Sequence, residues 1–106
     1  MYVFRLERNG IGPYQSKQYS EDEIEYCNEL KDAHWDSEHP NWHADGLEWP
    51  TDGGLFACPS LEILYEWFEG FIEKLSSIGF EIKKYKATEY KMGRSGKQVL
   101  FKGIVQ

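Results

Sequence analysis

The stretch that decides the fold runs from Ser60 to Gly79 and reads SLEILYEWFEGFIEKLSSIG. Its apolar residues recur every three or four positions, which is the period of an amphipathic helix. Ser is a preferred N-cap residue, and Gly is preferred just past the end of a helix. The pattern therefore predicts one long helix between these two residues, broad enough on its apolar side to cover a sheet.

The segments around this helix favour strands. Four of them are rich in β-formers or alternate between apolar and polar residues: Tyr2–Glu7, Leu55–Cys58, Phe80–Thr88 and Gln98–Val105. In the first, Tyr2, Phe4 and Leu6 share the more apolar face. In the third, Tyr85 falls on the face opposite Phe80, which predicts a bulge or an edge position. The run MGRSGK before the last strand predicts a turn.

A shorter helix is predicted to begin at Ser20, where Ser20 to Glu23 forms a capping box. Its apolar stripe is narrow and includes Cys27 and Leu30. Residues 34–52 then lose all periodicity, yet they hold all three histidines and three of the four tryptophans. The expected fold class is α+β: a small, mainly antiparallel sheet packed against one long amphipathic helix, plus a second shorter helix and a long aromatic loop. Residues 1–106 form a single domain.

Charge limits the partners. The chain has 12 basic and 18 acidic residues, a net charge of −6. Binding a nucleic-acid backbone needs clustered Lys and Arg, so we expect no direct nucleic-acid binding. The same balance opposes an anionic membrane surface, and no apolar run approaches the roughly 18 residues of a membrane helix. Cys27 and Cys58 lack a CxxC spacing and a secretory signal, which indicates a reduced intracellular pair.

Reactive chemistry is weakly supported. His34, His39 and His43 match no established zinc spacing, and Pro40 keeps the last two from sharing a regular helix face. Cys58 precedes a helix, where thiolates are stabilised, but a buried inert cysteine is the commoner outcome. We therefore predict no catalytic residue, no metal and no cofactor.

Ligand binding has more support. Aromatic side chains in irregular segments can stack a nucleobase or another flat ligand, and the backbone N–H groups of GRSGK can grip an anion. The alternatives are that each tryptophan only pins the long loop and that GRSGK is a polar hairpin turn. Arg5 adds a cationic contact or forms a salt bridge. The predicted ligand-binding residues are Arg5, Tyr14, Trp35, His39, Trp42, His43, Asp45, Arg94 and Lys97.

Short motifs spread over most of the chain carry a family resemblance. They are Phe4-Arg5-Leu6-Glu7, the GIGPY run of residues 10–14, His39-Pro40 followed by Asp45-Gly46, and the FxxxSLExLxxWF run of residues 56–68. In these motifs the chain resembles a group of small proteins encoded by bacteriophages and prophages. The resemblance implies an accessory phage protein that acts in the host cytoplasm, and it carries over no catalytic residue.

A second, fainter resemblance is to the core of ADP-ribosyltransferase-like folds, over the strand–Ser–helix–strand run from Phe56 to Thr88. Three functions follow as hypotheses. The first is a non-enzymatic counter-defence protein that sequesters a nucleotide-derived signal through its aromatic loops. The second is an acidic inhibitor that occludes a host defence protein, and the third is an enzyme that uses NAD or another nucleotide. A homo-oligomer is left open.

Overall fold

The computed structural model describes residues 1–14, 25, 27–30, 33–34, 39, 42–48 and 53–106. Within these ranges the chain forms four strands and two short helices, with further helical residues between 25 and 33. In chain order the elements are β1 (Tyr2–Glu7), β2 (Leu55–Ala57), α1 (Leu61–Trp67), α2 (Ile72–Ser77), β3 (Glu81–Met92) and β4 (Val99–Val105). No helix in the described part of the chain is long and apolar enough to cross a membrane.

The four strands form one antiparallel sheet in the order β1-β3-β4-β2. The sheet is strongly curved, because its two outermost strands also meet. Phe4 in β1 and Cys58, just after β2, exchange backbone hydrogen bonds of 2.9 and 2.8 Å. This curvature gives the sheet an inner face, lined by Val3 and Phe101, and an outer face that carries Phe4 and Leu6.

The prediction of one long helix is wrong. The chain from Ser60 to Gly79 forms two short helices, and Phe68, Glu69, Gly70 and Phe71 lie between them. Gly70 has φ of 85°, a left-handed conformation that a continuous helix does not contain. The apolar period continues across the break because Phe68 and Phe71 both remain on the packed side. The interruption therefore could not be predicted from apolar periodicity alone.

Both predicted caps are confirmed. Ser60 Oγ accepts a hydrogen bond from the Ile63 backbone N–H at 3.1 Å. At the other end, Phe80 N donates to Leu75 O and Gly79 N to Ser76 O, both at 3.1 Å. This pair of bonds is a Schellman motif, which satisfies the carbonyls at a helix end.

The core has two parts. The larger lies between the outer face of the sheet and the helices, and its buried members are Leu6, Cys27, Leu30, Cys58, Leu64, Trp67, Phe68, Leu75 and Phe80. The smaller fills the inner face of the sheet with Val3, Ala57, Ala87, Val99 and Phe101. Cys27 and Leu30 are fully buried, as the predicted stripe requires. The predicted cap at Ser20 to Glu23 lies outside the described residues.

The strands deviate from prediction in two ways. In β1, both faces are packed: Val3, Arg5 and Glu7 are buried, while Tyr2 on the more apolar face is exposed. The reason is the curvature, which encloses the face that sequence alternation marks as polar. In β3, the predicted bulge or edge position at Tyr85 is wrong: β3 is an interior strand, and Tyr85 lies on the inner face by regular alternation. The register does shift, but farther along, between Ala87 and Glu89.

Candidate functional site

The most distinctive local structure is a cluster of aromatic rings beside α1. The rings of His34 and His39 stack face to face, with centroids 3.7 Å apart and an interplanar angle of 6°. Trp67 meets both rings edge-on, with centroids 6.3 Å from His34 and 5.1 Å from His39. Two residues that are distant from α1 in sequence are thus held against its last turn.

A chain of side-chain hydrogen bonds joins Trp67, Tyr14 and His34. Trp67 Nε1 can only donate, and it donates to Tyr14 Oη at 2.8 Å. Tyr14 Oη lies 2.5 Å from His34 Nδ1. The Tyr14 hydroxyl thus bridges the indole N–H of Trp67 and the His34 ring. This bridge fixes the position of the His34 ring beside α1.

His39 is fixed by a different contact. Its Nε2 lies 3.0 Å from the Trp67 carbonyl oxygen. A carbonyl only accepts, so His39 Nε2 carries a proton and donates. Both histidine rings are therefore held in defined orientations, which reduces the entropy that a ligand stacking on them would lose.

These rings form one wall of a cleft of about 410 Å³. The described residues that line it are Ala33, His34, His39, Ile63, Glu66, Trp67, Glu69, Phe71 and Lys97. The lining mixes apolar and aromatic side chains with two imidazoles, two carboxylates and one ammonium group. Such a mixture suits a ligand with a flat apolar body and a few polar groups.

The GRSGK turn binds the carboxylate of Asp45, an anionic group of the protein itself. Its carboxylate accepts from Ser95 N at 2.6 Å, Ser95 Oγ at 2.8 Å and Gln98 Nε2 at 3.0 Å. Arg94 N also donates to the Asp45 carbonyl at 2.9 Å. A side chain at Gly93 would collide with this carboxylate. The turn thereby ties the segment around Asp45 to the sheet.

Arg5 forms the predicted salt bridge. Its Nε donates to Glu7 Oε2 at 2.9 Å and its Nη1 donates to the Phe56 carbonyl at 2.6 Å. Tyr85 Oη also lies 2.9 Å from both carboxylate oxygens of Glu7. Burial, and then the bond to Glu7, raises the pKa of Tyr85 above its ordinary value. This network lies on the inner face of the sheet, apart from the residues lining the cleft.

The remaining predicted ligand residues are dispersed. His39 and Lys97 line the cleft, and Tyr14 supports it through Trp67 and His34. Trp42 and His43 contact each other edge-on, with centroids 5.7 Å apart. The Arg94 side chain lies against Gly46. Trp35 lies outside the described residues.

Several residues of the cleft were not predicted from the sequence. Trp67 was not among the predicted ligand-binding residues, yet it is buried and joins the two histidines to Tyr14. Glu66, Glu69 and Phe71 were assigned to one continuous helix. The signal that was available is Gly70, because glycine inside a helical pattern weakens that assignment.

Cysteine reactivity depends on exposure, and metal binding depends on the convergence of several ligands. Cys27 and Cys58 are both buried and are not bonded to each other. Burial raises the pKa of the Cys58 thiol to about 12, so it is not a thiolate near neutral pH. Among the residues that the structure describes, no three His, Cys, Asp or Glu side chains converge as metal ligands do.

The fold and the cleft together define a small curved-sheet protein with a cleft lined by aromatic rings. The family model described as Bacteriophage T4 Y00F protein matches residues 1–104, so the chain belongs to that family. No curated protein and no solved structure matches it. The predicted bacteriophage family is thus confirmed, while the resemblance to ADP-ribosyltransferases stays a prediction.

Proposed function

We propose that this phage protein is a non-enzymatic binding protein that sequesters a nucleotide-like signal molecule in the cleft, in the host cytoplasm, as a counter-defence. The observation that carries the proposal is the cleft wall made by stacked His34 and His39 against Trp67. Stacking on aromatic side chains contributes about 1–3 kcal/mol per base and accepts any base, because each base has a π-face.

The charged groups of the cleft complement this wall. Glu66 and Glu69 offer carboxylate acceptors for the N–H donors at the edge of a base, and Lys97 offers an ammonium group for a phosphate. The ring orientations are set by protein hydrogen bonds before any ligand arrives. The ligand therefore meets a preformed site.

The test is a thermal-shift series with purified protein and about 1 mM of each probe: guanosine and adenosine diphosphates, cyclic dinucleotides and NAD. A probe at 100 times its Kd stabilises the folded state by about 2.7 kcal/mol. We expect a shift in Tm with at least one probe. Replacing His39→Ala or Lys97→Ala should reduce that shift, whereas Tyr65→Ala, at an exposed position outside the cleft, should leave it unchanged.

The absence of any shift with every probe would count against sequestration. The probe that binds is then recovered after denaturation and analysed by mass spectrometry. Recovery of intact probe supports a binding protein, whereas recovery of a cleaved or transferred product supports the enzyme alternative.

A second candidate is an acidic inhibitor that occludes a basic surface of a host defence protein. The observation that favours it is a row of exposed carboxylates along α1, the turn after it and α2: Glu62, Glu66, Glu69 and Glu73. α1 has no basic residue in its last turn. An exposed acidic row attracts a basic protein surface, and added salt screens the attraction.

One double variant distinguishes this candidate function from ligand sequestration. The double variant Glu62→Gln with Glu73→Gln changes carboxylates that do not line the cleft. If the protein occludes a partner, this variant should weaken capture of host DNA-binding proteins at low salt and leave the Tm shift with nucleotide probes unchanged. Capture that is insensitive to salt would contradict it.

A further inference from the structure

The positive charge of this acidic protein is concentrated in one hairpin. Residues 81–106 contain seven of the twelve basic residues but only two of the eighteen acidic ones. These residues form β3, the GRSGK turn that binds Asp45, and β4. The net charge of −6 is therefore the sum of a basic hairpin and a strongly acidic remainder.

Four lysines of this hairpin share the outer face of the sheet. Residues directly opposite each other in antiparallel strands lie on the same face. Lys84 is opposite Phe4, which packs on the outer core, and Lys86 is opposite Ile104. By the same register and alternation, the exposed members of this lysine face are Lys84, Lys86, Lys91 and Lys102.

These lysines do not serve to protect the edge of the sheet. Lysines on an edge strand prevent pairing with another sheet. β3 and β4, however, are the two interior strands of the order β1-β3-β4-β2. From Lys84 to Lys91, β3 rises by roughly 23 Å. The lysine face is thus a row of charges along the middle of a sheet.

An aromatic ring accompanies the row. Tyr2 is opposite Lys86, it is 47% exposed, and Lys84 Nζ lies 4.3 Å from its ring centroid. A positively charged surface with an exposed ring is the combination that binds single-stranded nucleic acid. An acidic protein partner fits less well, because lysine is depleted at protein interfaces, where arginine is preferred for carboxylates.

The structure points to a second binding surface, independent of the cleft: we infer that the lysine face and Tyr2 bind single-stranded nucleic acid. The lysines contact successive phosphates, and a base stacks on the exposed part of Tyr2. Glu89 opposes this weakly, since it lies 3.9 Å from Lys102 and is exposed. The expectation that net charge excludes nucleic acid does not apply to one face of a protein whose charges are separated.

The test uses fluorescence anisotropy of a labelled single-stranded 20-nucleotide DNA with the full-length protein at about 50 mM salt. Each phosphate contact on a single strand contributes about 0.7 to the slope of log K against log salt, so four lysines give a slope near −2.8. Lys86→Gln with Lys91→Gln should weaken binding at least about tenfold and reduce the slope by about 1.4.

The matched control is Lys74→Gln with Lys83→Gln, which changes the net charge equally and lies off the lysine face. It should retain wild-type affinity within about twofold. Equal weakening by both pairs would overturn the inference, as would failure of the wild-type protein to bind the strand. Tighter binding of the corresponding duplex, or equal competition by poly-glutamate, would also overturn it.

Discussion

At the scale of single residues, the folded chain uses polar side chains to join segments that lie far apart in sequence. Tyr14 connects the loop after β1 to α1 by bonding Trp67 and His34. Asp45 connects the central segment to the β3–β4 turn through Ser95 and Gln98. Each of these side chains replaces several water contacts with bonds of defined geometry, so its removal leaves buried partners unsatisfied.

We predict that Tyr14→Phe destabilises the protein by about 1–3 kcal/mol, because the buried indole N–H of Trp67 loses its acceptor. Urea denaturation followed by tryptophan fluorescence measures the change. Tyr65→Phe is the matched control, since Tyr65 is exposed, and it should change the free energy of unfolding by less than about 0.5 kcal/mol. Equal effects of the two substitutions would contradict the prediction.

We also predict that Asp45→Asn costs about 2 kcal/mol or more. The amide replaces two charge-assisted acceptors with one neutral acceptor and a donor that faces the donors of the turn. Hydrogen exchange of the Ser95 amide should accelerate along with the loss of stability. Glu48→Gln alters an exposed carboxylate nearby and should change neither quantity.

At the scale of elements, the important feature is the break between α1 and α2. It places Glu69 and Phe71 on the lining of the cleft beside Glu66 and Trp67. A continuous helix would carry these residues farther along one axis, at 1.5 Å per residue. The cleft therefore depends on a turn at Gly70, in a segment whose apolar period is otherwise helical.

One substitution distinguishes this break from a continuous helix, because the change in the free energy of unfolding has the opposite sign in the two cases. We predict that Gly70→Ala destabilises the protein by about 1–2 kcal/mol, because alanine at a φ of 85° is strained. In a continuous helix the same change would stabilise by about 1 kcal/mol. Chemical denaturation gives the sign. Glu69→Ala, at the exposed neighbouring position, is the control and should change the free energy of unfolding by less than about 0.5 kcal/mol.

At the scale of the whole molecule, the curved sheet separates two cores and leaves the Cys58 thiol in low-dielectric surroundings. The pKa of Cys58 rises from 9.0 to about 12 because its thiol is buried between β1 and the helices. The unfolded chain therefore releases this proton at lower pH than the folded chain does. The protonated Cys58 thiol therefore makes its full contribution to the free energy of unfolding below pH 9, and this contribution is lost as the pH rises toward 12.

We therefore predict that the free energy of unfolding falls by about 1.4 kcal/mol per pH unit between pH 9 and 12 through Cys58 alone. Denaturant titrations of the wild type and Cys58→Ala at each pH isolate this contribution. The difference in stability between the two proteins should shrink as the pH rises. A difference that stays constant from pH 8 to 11 would contradict the buried thiol.

The local sequence was sufficient for features that depend on neighbouring residues. The Ser60 cap, the Gly79 helix end, the turn before β4 and the positions of the four strands all follow from propensity and periodicity. The predicted phage origin agrees with the family model that matches residues 1–104. The caps and the turn were predictable because the atoms that stabilise them lie within a few residues of one another. The strands were predictable from composition and alternation, although their pairing partners are distant in sequence.

Tertiary structure decided the rest, because the relevant contacts join distant segments. The sheet's curvature buries Arg5 and Glu7 on a face that alternation marks as polar, and the GRSGK turn takes Asp45 as its anion. Trp67 becomes the centre of the ring cluster only when Tyr14, His34 and His39 are brought to it. The segment from Ser60 to Gly79 shows both cases. The caps at its two ends are local, but its division into α1 and α2 at Gly70 is compatible with the fold because Phe68 and Phe71 stay packed against the core.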